Sequence, residues 1–128
     1  MKEILFVGLG SCLGGVARYL VSLGIRPSAD GFPWGTLTVN LLGSLLIGLL
    51  WGLTLRLPHL PSWLPLFLMT GFCGGFTTFS TFSKESLTLL QSGHWLYFLL
   101  YTLGSLLLGL SAVLLGYIAG KGGFGTEG

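Results

Sequence analysis

Along the chain, apolar residues run in long blocks instead of alternating with polar ones, and four such blocks stand out, at residues 4–25, 34–57, 63–91 and 95–119. Each exceeds the roughly 20 residues that a helix needs to cross a hydrocarbon layer of about 30 Å. No water completes backbone hydrogen bonds in that layer, so a run of this length must satisfy its own N–H and C=O groups as a helix. The joints carry turn residues: Arg26-Pro27-Ser28-Ala29-Asp30-Gly31-Phe32-Pro33, then Pro58-His59-Leu60-Pro61-Ser62, then Ser92-Gly93-His94. Trp34, Trp51, Trp63, Trp95, Tyr19 and Tyr97 fall mostly near block ends, as an interfacial aromatic belt would. The pattern predicts an all-α integral membrane fold: one four-helix domain over 1–121, then a flexible glycine-rich tail at 122–128.

Composition agrees. Only 8% of the 128 residues are charged and 52% are hydrophobic, whereas a soluble domain carries about 25% charge. A net charge of +2 is too small to drive phosphate binding, so nucleic acid is not expected as a partner. Cys12 and Cys73 lie inside apolar runs and read as small buried hydrophobes. His59 and His94 fall in the joints and read as solvated residues. Leu9-Gly10-Ser11-Cys12 loosely matches a lipoprotein cleavage site, but the apolar run continues past it, so the first helix is expected to be retained. No Ser/His/Asp, Cys/His or paired-carboxylate arrangement shares a common depth, and hydroxyls without a base are poor nucleophiles, so no enzymatic activity is expected. With both termini on one side, Lys2, Arg56 and Lys121 oppose Arg26 and the deeper Arg18, a weak orientation bias that reflects either small numbers or a chain inserting both ways.

The 22 glycines have a packing role. Lipid is as apolar as leucine, so membrane helices associate where small residues let backbones touch. Gly10/Gly14, Gly48/Gly52, Gly71/Gly75 and Gly116/Gly120 have the four-residue spacing this needs, extended by Ser11/Gly15 and Ser44/Gly48. Four helices enclose little interior, which points to a homo-oligomer.

Polar groups inside the apolar blocks call for a partner or a function. Arg18 either snorkels to the interface or concentrates an anion at a vestibule. Lys84 and Glu85 read as a local pair or as exposed interfacial charges. Asn40 either bonds a neighbouring helix or offers its two N–H donors to a permeating anion. The densest anomaly is Thr70-Gly71-Phe72-Cys73-Gly74-Gly75-Phe76-Thr77-Thr78-Phe79-Ser80-Thr81-Phe82-Ser83. Glycine and threonine both weaken a helix, so a break near mid-membrane is predicted in the third helix, with Gly74 and Gly75 opening it. Freed carbonyls at such a break can hold a hard cation, and the following half-helix favours an anion. Phe76, Phe79 and Phe82 share a face, either as packing or as ring edges lining an anion path. Tyr101 and Ser105 stand one turn apart in the fourth helix and extend the polar track.

At Gly14-Gly15-Val16-Ala17-Arg18-Tyr19, at Gly35-Thr36-Leu37-Thr38-Val39-Asn40 and at Gly71 through Phe82, the chain resembles the CrcB/Fluc family of fluoride channels. The resemblance implies a passive channel exporting fluoride across a bacterial inner membrane and conferring fluoride resistance, built as an antiparallel, dual-topology homodimer. It further implies a structural Na+, not transported, held by the backbone carbonyls of Gly74 and Thr77 at the dimer centre. Phe79 and Phe82 would flank the fluoride path, with Asn40 donating, Ser80 and Thr81 on the third-helix track, Tyr101 and Ser105 on the fourth, and Arg18 near an aqueous vestibule. Gly109 stands where some relatives carry a further hydroxyl, so the fourth-helix track is expected to be shorter.

Two other classes compete. A proton-coupled exporter of organic cations can also be a small four-helix dimer, but it needs a carboxylate embedded in the membrane; here Glu3 is terminal and Glu85 lies late in the third block. A non-transporting assembly subunit would account for the glycines but not for Asn40, the break or the Phe/Thr ladder.

Overall fold

The computed structural model describes residues 1–26, 29 and 31–122; Pro27, Ser28 and Asp30 of the first joint and residues 123–128 of the expected tail lie outside them. Three helices carry enough apolar length to cross a membrane: α1 (Lys2–Gly24), α2 (Trp34–Arg56) and the final helix, Trp95–Lys121. At 1.5 Å per residue the first two are roughly 34 Å long, matching the hydrocarbon thickness. Between α2 and the final helix the chain forms α3 (Trp63–Pro65), a π-helical segment (Leu66–Cys73), α4 (Gly74–Phe76) and, after an interruption, α5 (Phe79–Gln91), which makes the final helix α6. Among the described residues there is no strand. The protein is an all-helical membrane protein.

The interruption corrects one expectation. Gly74 and Gly75 do not break the helix: Gly74 keeps helical angles (φ −62°, ψ −38°) and α4 continues to Phe76. Thr77 (φ −86°, ψ 159°) and Thr78 (φ −148°, ψ 122°) are the extended residues. Both are β-branched and comfortable in extended backbone. Gly75 has a different task, since a Cβ there would collide with the backbone of Ser11 on α1. The π-helical winding of the preceding segment, a form that clusters at functional sites, leaves no simple trace in the apolar pattern.

Packing follows the small residues. α1 lies against the π-helical segment and α4, α2 lies along α6, and α5 returns onto α6. A Cβ at Gly10 or Gly14 would run into the carbonyl of Phe67 or Phe72. Along α2 and α6 the arrangement is reciprocal: Gly48 and Gly52 face the carbonyls of Val113 and Tyr117, while Gly116 and Gly120 face those of Leu45 and Leu49. Backbone contact on both sides supplies the dispersion and weak C–H···O attraction that hydrophobicity cannot supply in lipid. Gly116→Ala is therefore expected to destabilise the fold by about 1–3 kcal/mol, the usual cost of overpacking. Gly8→Ala, with open space around it, should be neutral or slightly stabilising. Thermal unfolding in detergent separates the two, and equal melting temperatures would contradict the close-packing assignment.

A small aromatic core ties the break to the rest of the fold. Phe32, ahead of α2, meets Tyr97 and Tyr101 edge-on at 5.7 Å each. Leu37, Leu89 and fully buried Tyr101 complete the cluster, with Phe82 packed against it. The leucines at positions 5, 9, 13 and 20 of α1 and 103, 107 and 110 of α6 are exposed, a surface suited to lipid.

Candidate functional site

The break is held from two sides by side chains distant in sequence. From α2, Asn40 forms a two-way bond with Thr78: its Oδ1 accepts from the Thr78 amide at 2.8 Å, and its Nδ2 donates to the Thr78 carbonyl at 3.1 Å. From α1, Arg18 Nε donates to the Gly75 carbonyl at 3.2 Å. Thr78 also serves as N-cap of α5, its hydroxyl accepting from the Thr81 amide at 3.2 Å.

These bonds determine which carbonyls are left over. In an uninterrupted α-helix the Thr78 amide would serve the Gly74 carbonyl and the Thr81 amide the Thr77 carbonyl. Asn40 takes the first donor and the Thr78 hydroxyl takes the second. Gly74 and Thr77, the two positions expected to offer backbone oxygens to a cation, thus lose their helical donors. An oxygen set of this kind suits a hard cation. Among the described residues there is no group of His, Cys, Asp or Glu that could hold a metal.

Beside the break lies an open-sided cavity of about 790 Å³. Asn40, Gly74, Thr77, Phe79, Phe82 and Ser105 all line it, together with Ser44, Thr70, Thr78, Thr102 and several apolar side chains. Six residues expected on the ion pathway or cation site from separate stretches of sequence therefore meet at one surface. Among the described residues no carboxylate lines it. Phe79 is 78% exposed in the single chain. Phe82 lies between Phe79 (5.9 Å, 40° between planes) and Tyr101 (5.0 Å, 46°).

Ser105 differs from the other helix hydroxyls. Ser86, Thr88, Thr102 and Ser111 each donate to the carbonyl four residues back, at 2.8–2.9 Å. Of the buried side-chain polar atoms among the described residues, Ser105 Oγ alone has no partner. A buried hydroxyl without a partner costs free energy unless a ligand completes it.

The other expected positions go elsewhere. Tyr101, expected on the polar track, has its hydroxyl committed to Glu85 Oε1 at 3.1 Å and does not line the cavity. Ser80 and Thr81 sit in the first turn of α5, outside the lining. Arg18 reaches the break itself through its Nε, a contact that snorkelling to the far interface would not make. Lys84 is exposed, and Glu85 pairs with Tyr101 instead of with Lys84. That link between α5 and α6 was missed from sequence; the one available signal was a carboxylate within an apolar block, which needs a donor. Gly109 comes within 3.8 Å of the Ser44 hydroxyl, measured from where its Cβ would stand.

Comparison with known proteins sets this geometry in context. The family model described as CrcB-like protein, Camphor Resistance (CrcB), matches residues 5–117. A protein of Phocaeicola vulgatus named fluoride-specific ion channel FluC is 50% identical over 117 residues, which cover 91% of this chain and 96% of that protein. The protein of the same name from Chlorobium chlorochromatii is 51% identical over 119 residues (93% and 92%). That of Bacteroides fragilis is 46% identical over 125 residues (94% and 98%).

Proposed function

Since this chain belongs to the CrcB-like protein family, we propose that it forms a passive, fluoride-selective channel. The observation that carries this reading is the cavity at the break, where Asn40, Phe79, Phe82 and the unpartnered Ser105 hydroxyl converge without a carboxylate. Fluoride is small and strongly hydrated, so its water must be replaced by several donors at once. An amide, a hydroxyl and positive ring edges can do so, yet each holds the ion weakly enough to release it, as conduction requires. A proton-coupled exporter would need a carboxylate at the cavity, and the one nearby, Glu85, is engaged by Tyr101.

The finer features belong to the same proposal. The interrupted α3–α5 stretch serves as a fourth crossing, and two copies pair in inverted orientation. The open side of the cavity and the exposure of Phe79 support this, because one chain leaves the path unclosed. The Gly74 and Thr77 carbonyls of the two copies would hold a structural Na+, which ties the breaks together without being transported. In a bacterial inner membrane, neutral HF enters and dissociates, and a negative-inside potential drives fluoride outward with about 2.3 kcal/mol per 100 mV.

Efflux from liposomes containing the purified protein tests the reading. Fluoride should leave through a Na+-containing membrane preparation while chloride stays; absence of fluoride release would overturn it. Ser105→Ala gives a second check with opposed signs. Removing the unpaired hydroxyl should raise stability, or leave it unchanged, by up to about 1–3 kcal/mol, while fluoride flux falls several-fold. Lower flux together with lower stability would assign Ser105 to the fold instead.

A further inference from the structure

We infer that Arg18 is a positioning residue that keeps the third helix open, acting together with Asn40 as a clamp across the break. The register of α1 brings it there. Gly10, Gly14 and Arg18 follow one another at four-residue spacing on one face, and the two glycines seat α1 against the backbone at Phe67 and Phe72. One turn further, the neighbouring helix ends at Phe76, and Arg18 meets a helix terminus instead of a helix side. There its Nε takes the Gly75 carbonyl.

The consequence concerns closure. To anneal into a continuous α-helix, the break must form bonds from the Thr78 amide to the Gly74 carbonyl and from the Phe79 amide to the Gly75 carbonyl. Asn40 occupies the donor of the first bond and Arg18 the acceptor of the second. With the first donor taken and one lone pair of the second acceptor filled, the extended Thr77–Thr78 link is favoured over the closed helix, and the Gly74 and Thr77 carbonyls stay available. The contact atom suggests how to separate this role from a simple charge effect. Nε of arginine and Nε2 of glutamine stand at the same position along the side chain, so Arg18→Gln retains the donor and removes the charge. Arg18→Lys retains the charge and displaces the donor.

The test is amide hydrogen exchange on the full chain in lipid nanodiscs, compared for wild type, Arg18→Ala, Arg18→Gln and Arg18→Lys. In Arg18→Ala the freed Gly75 carbonyl engages the Phe79 amide, whose exchange should slow by about tenfold or more, the size of one hydrogen bond gained. Arg18→Gln should exchange like wild type. The flux arm rests on the channel reading: fluoride flux should be retained in Arg18→Gln and lost in Arg18→Ala, with a deficit that neither more fluoride nor more salt repairs. Unchanged exchange in Arg18→Ala overturns the clamp. So does a deficit in Arg18→Gln that Arg18→Lys repairs and salt screens, which would assign a long-range charge role. If Arg18→Ala fails to fold, the contrast between Arg18→Gln and Arg18→Lys decides in the same terms. Exchange requires no fluoride, so a wild type without flux would sink the channel reading and leave the clamp to be judged by exchange alone.

Discussion

Asn40→Asp is expected to abolish fluoride flux, by about a thousandfold or more, while the chain remains folded. The substitution keeps an oxygen that can accept from the Thr78 amide and removes the N–H that donates to the Thr78 carbonyl. A carboxylate oxygen is then set against that carbonyl, which disturbs the break locally. The larger effect is on the ion. Asn40 lines the cavity, and a negative charge about 4 Å from an anion costs about 4 kcal/mol at an effective dielectric of 20. That corresponds to roughly three orders of magnitude in occupancy. Asn40→Ala should cost less at the ion and more in the fold, since both the amide and the carbonyl of Thr78 lose a partner at about 1–3 kcal/mol each. A fluoride electrode on liposomes and a size-exclusion profile of the same preparation separate these terms. Flux at the wild-type level in Asn40→Asp would remove Asn40 from the ion path.

Phe82→Ile should reduce flux by at least about tenfold through a different term. Isoleucine fills much of the same space but offers saturated methyl groups where the ring offered a positive edge. Because Phe82 also packs on Tyr101 and the small core, a loss of about 1–3 kcal/mol in stability accompanies the change. Phe79→Ile isolates the ring effect, because Phe79 is largely exposed in the single chain and little packing depends on it. Its flux should fall with a smaller loss of melting temperature than Phe82→Ile shows. Normal flux in both variants would reduce the aromatic pair to packing.

The general form of this protein could be read from its sequence because lipid imposes severe rules. A run such as 95–119 has one way to satisfy its backbone, and pairs such as Gly116/Gly120 have one evident use. The site was legible in part for the same reason: Asn40 and Ser105 are polar groups inside apolar blocks, while Phe82 is picked out by its spacing and the family motif, and all three line the cavity. Details decided by tertiary partners were not legible. Glycine and threonine together point to a break in this stretch, opened by Gly74 and Gly75, yet it lies at Thr77–Thr78, where Asn40, 38 residues away, captures the Thr78 amide. Local propensity contains no record of that bond. Thr102 and Ser105 look alike on a helix, but one hydroxyl returns to its own backbone and the other does not. Spacing and the family resemblance both put Tyr101 on a polar track, and neither shows that its hydroxyl is engaged by Glu85 across the α5–α6 contact.

The most direct test of the central claim is the reversal potential in a planar bilayer, with a tenfold fluoride gradient across the membrane and chloride equal on both sides. A passive, fluoride-selective pathway should carry current that reverses at the fluoride equilibrium potential, about 60 mV from zero for that gradient, whatever the pH difference. Reversal near zero, where chloride is at equilibrium, or a reversal that follows the proton gradient, would contradict it.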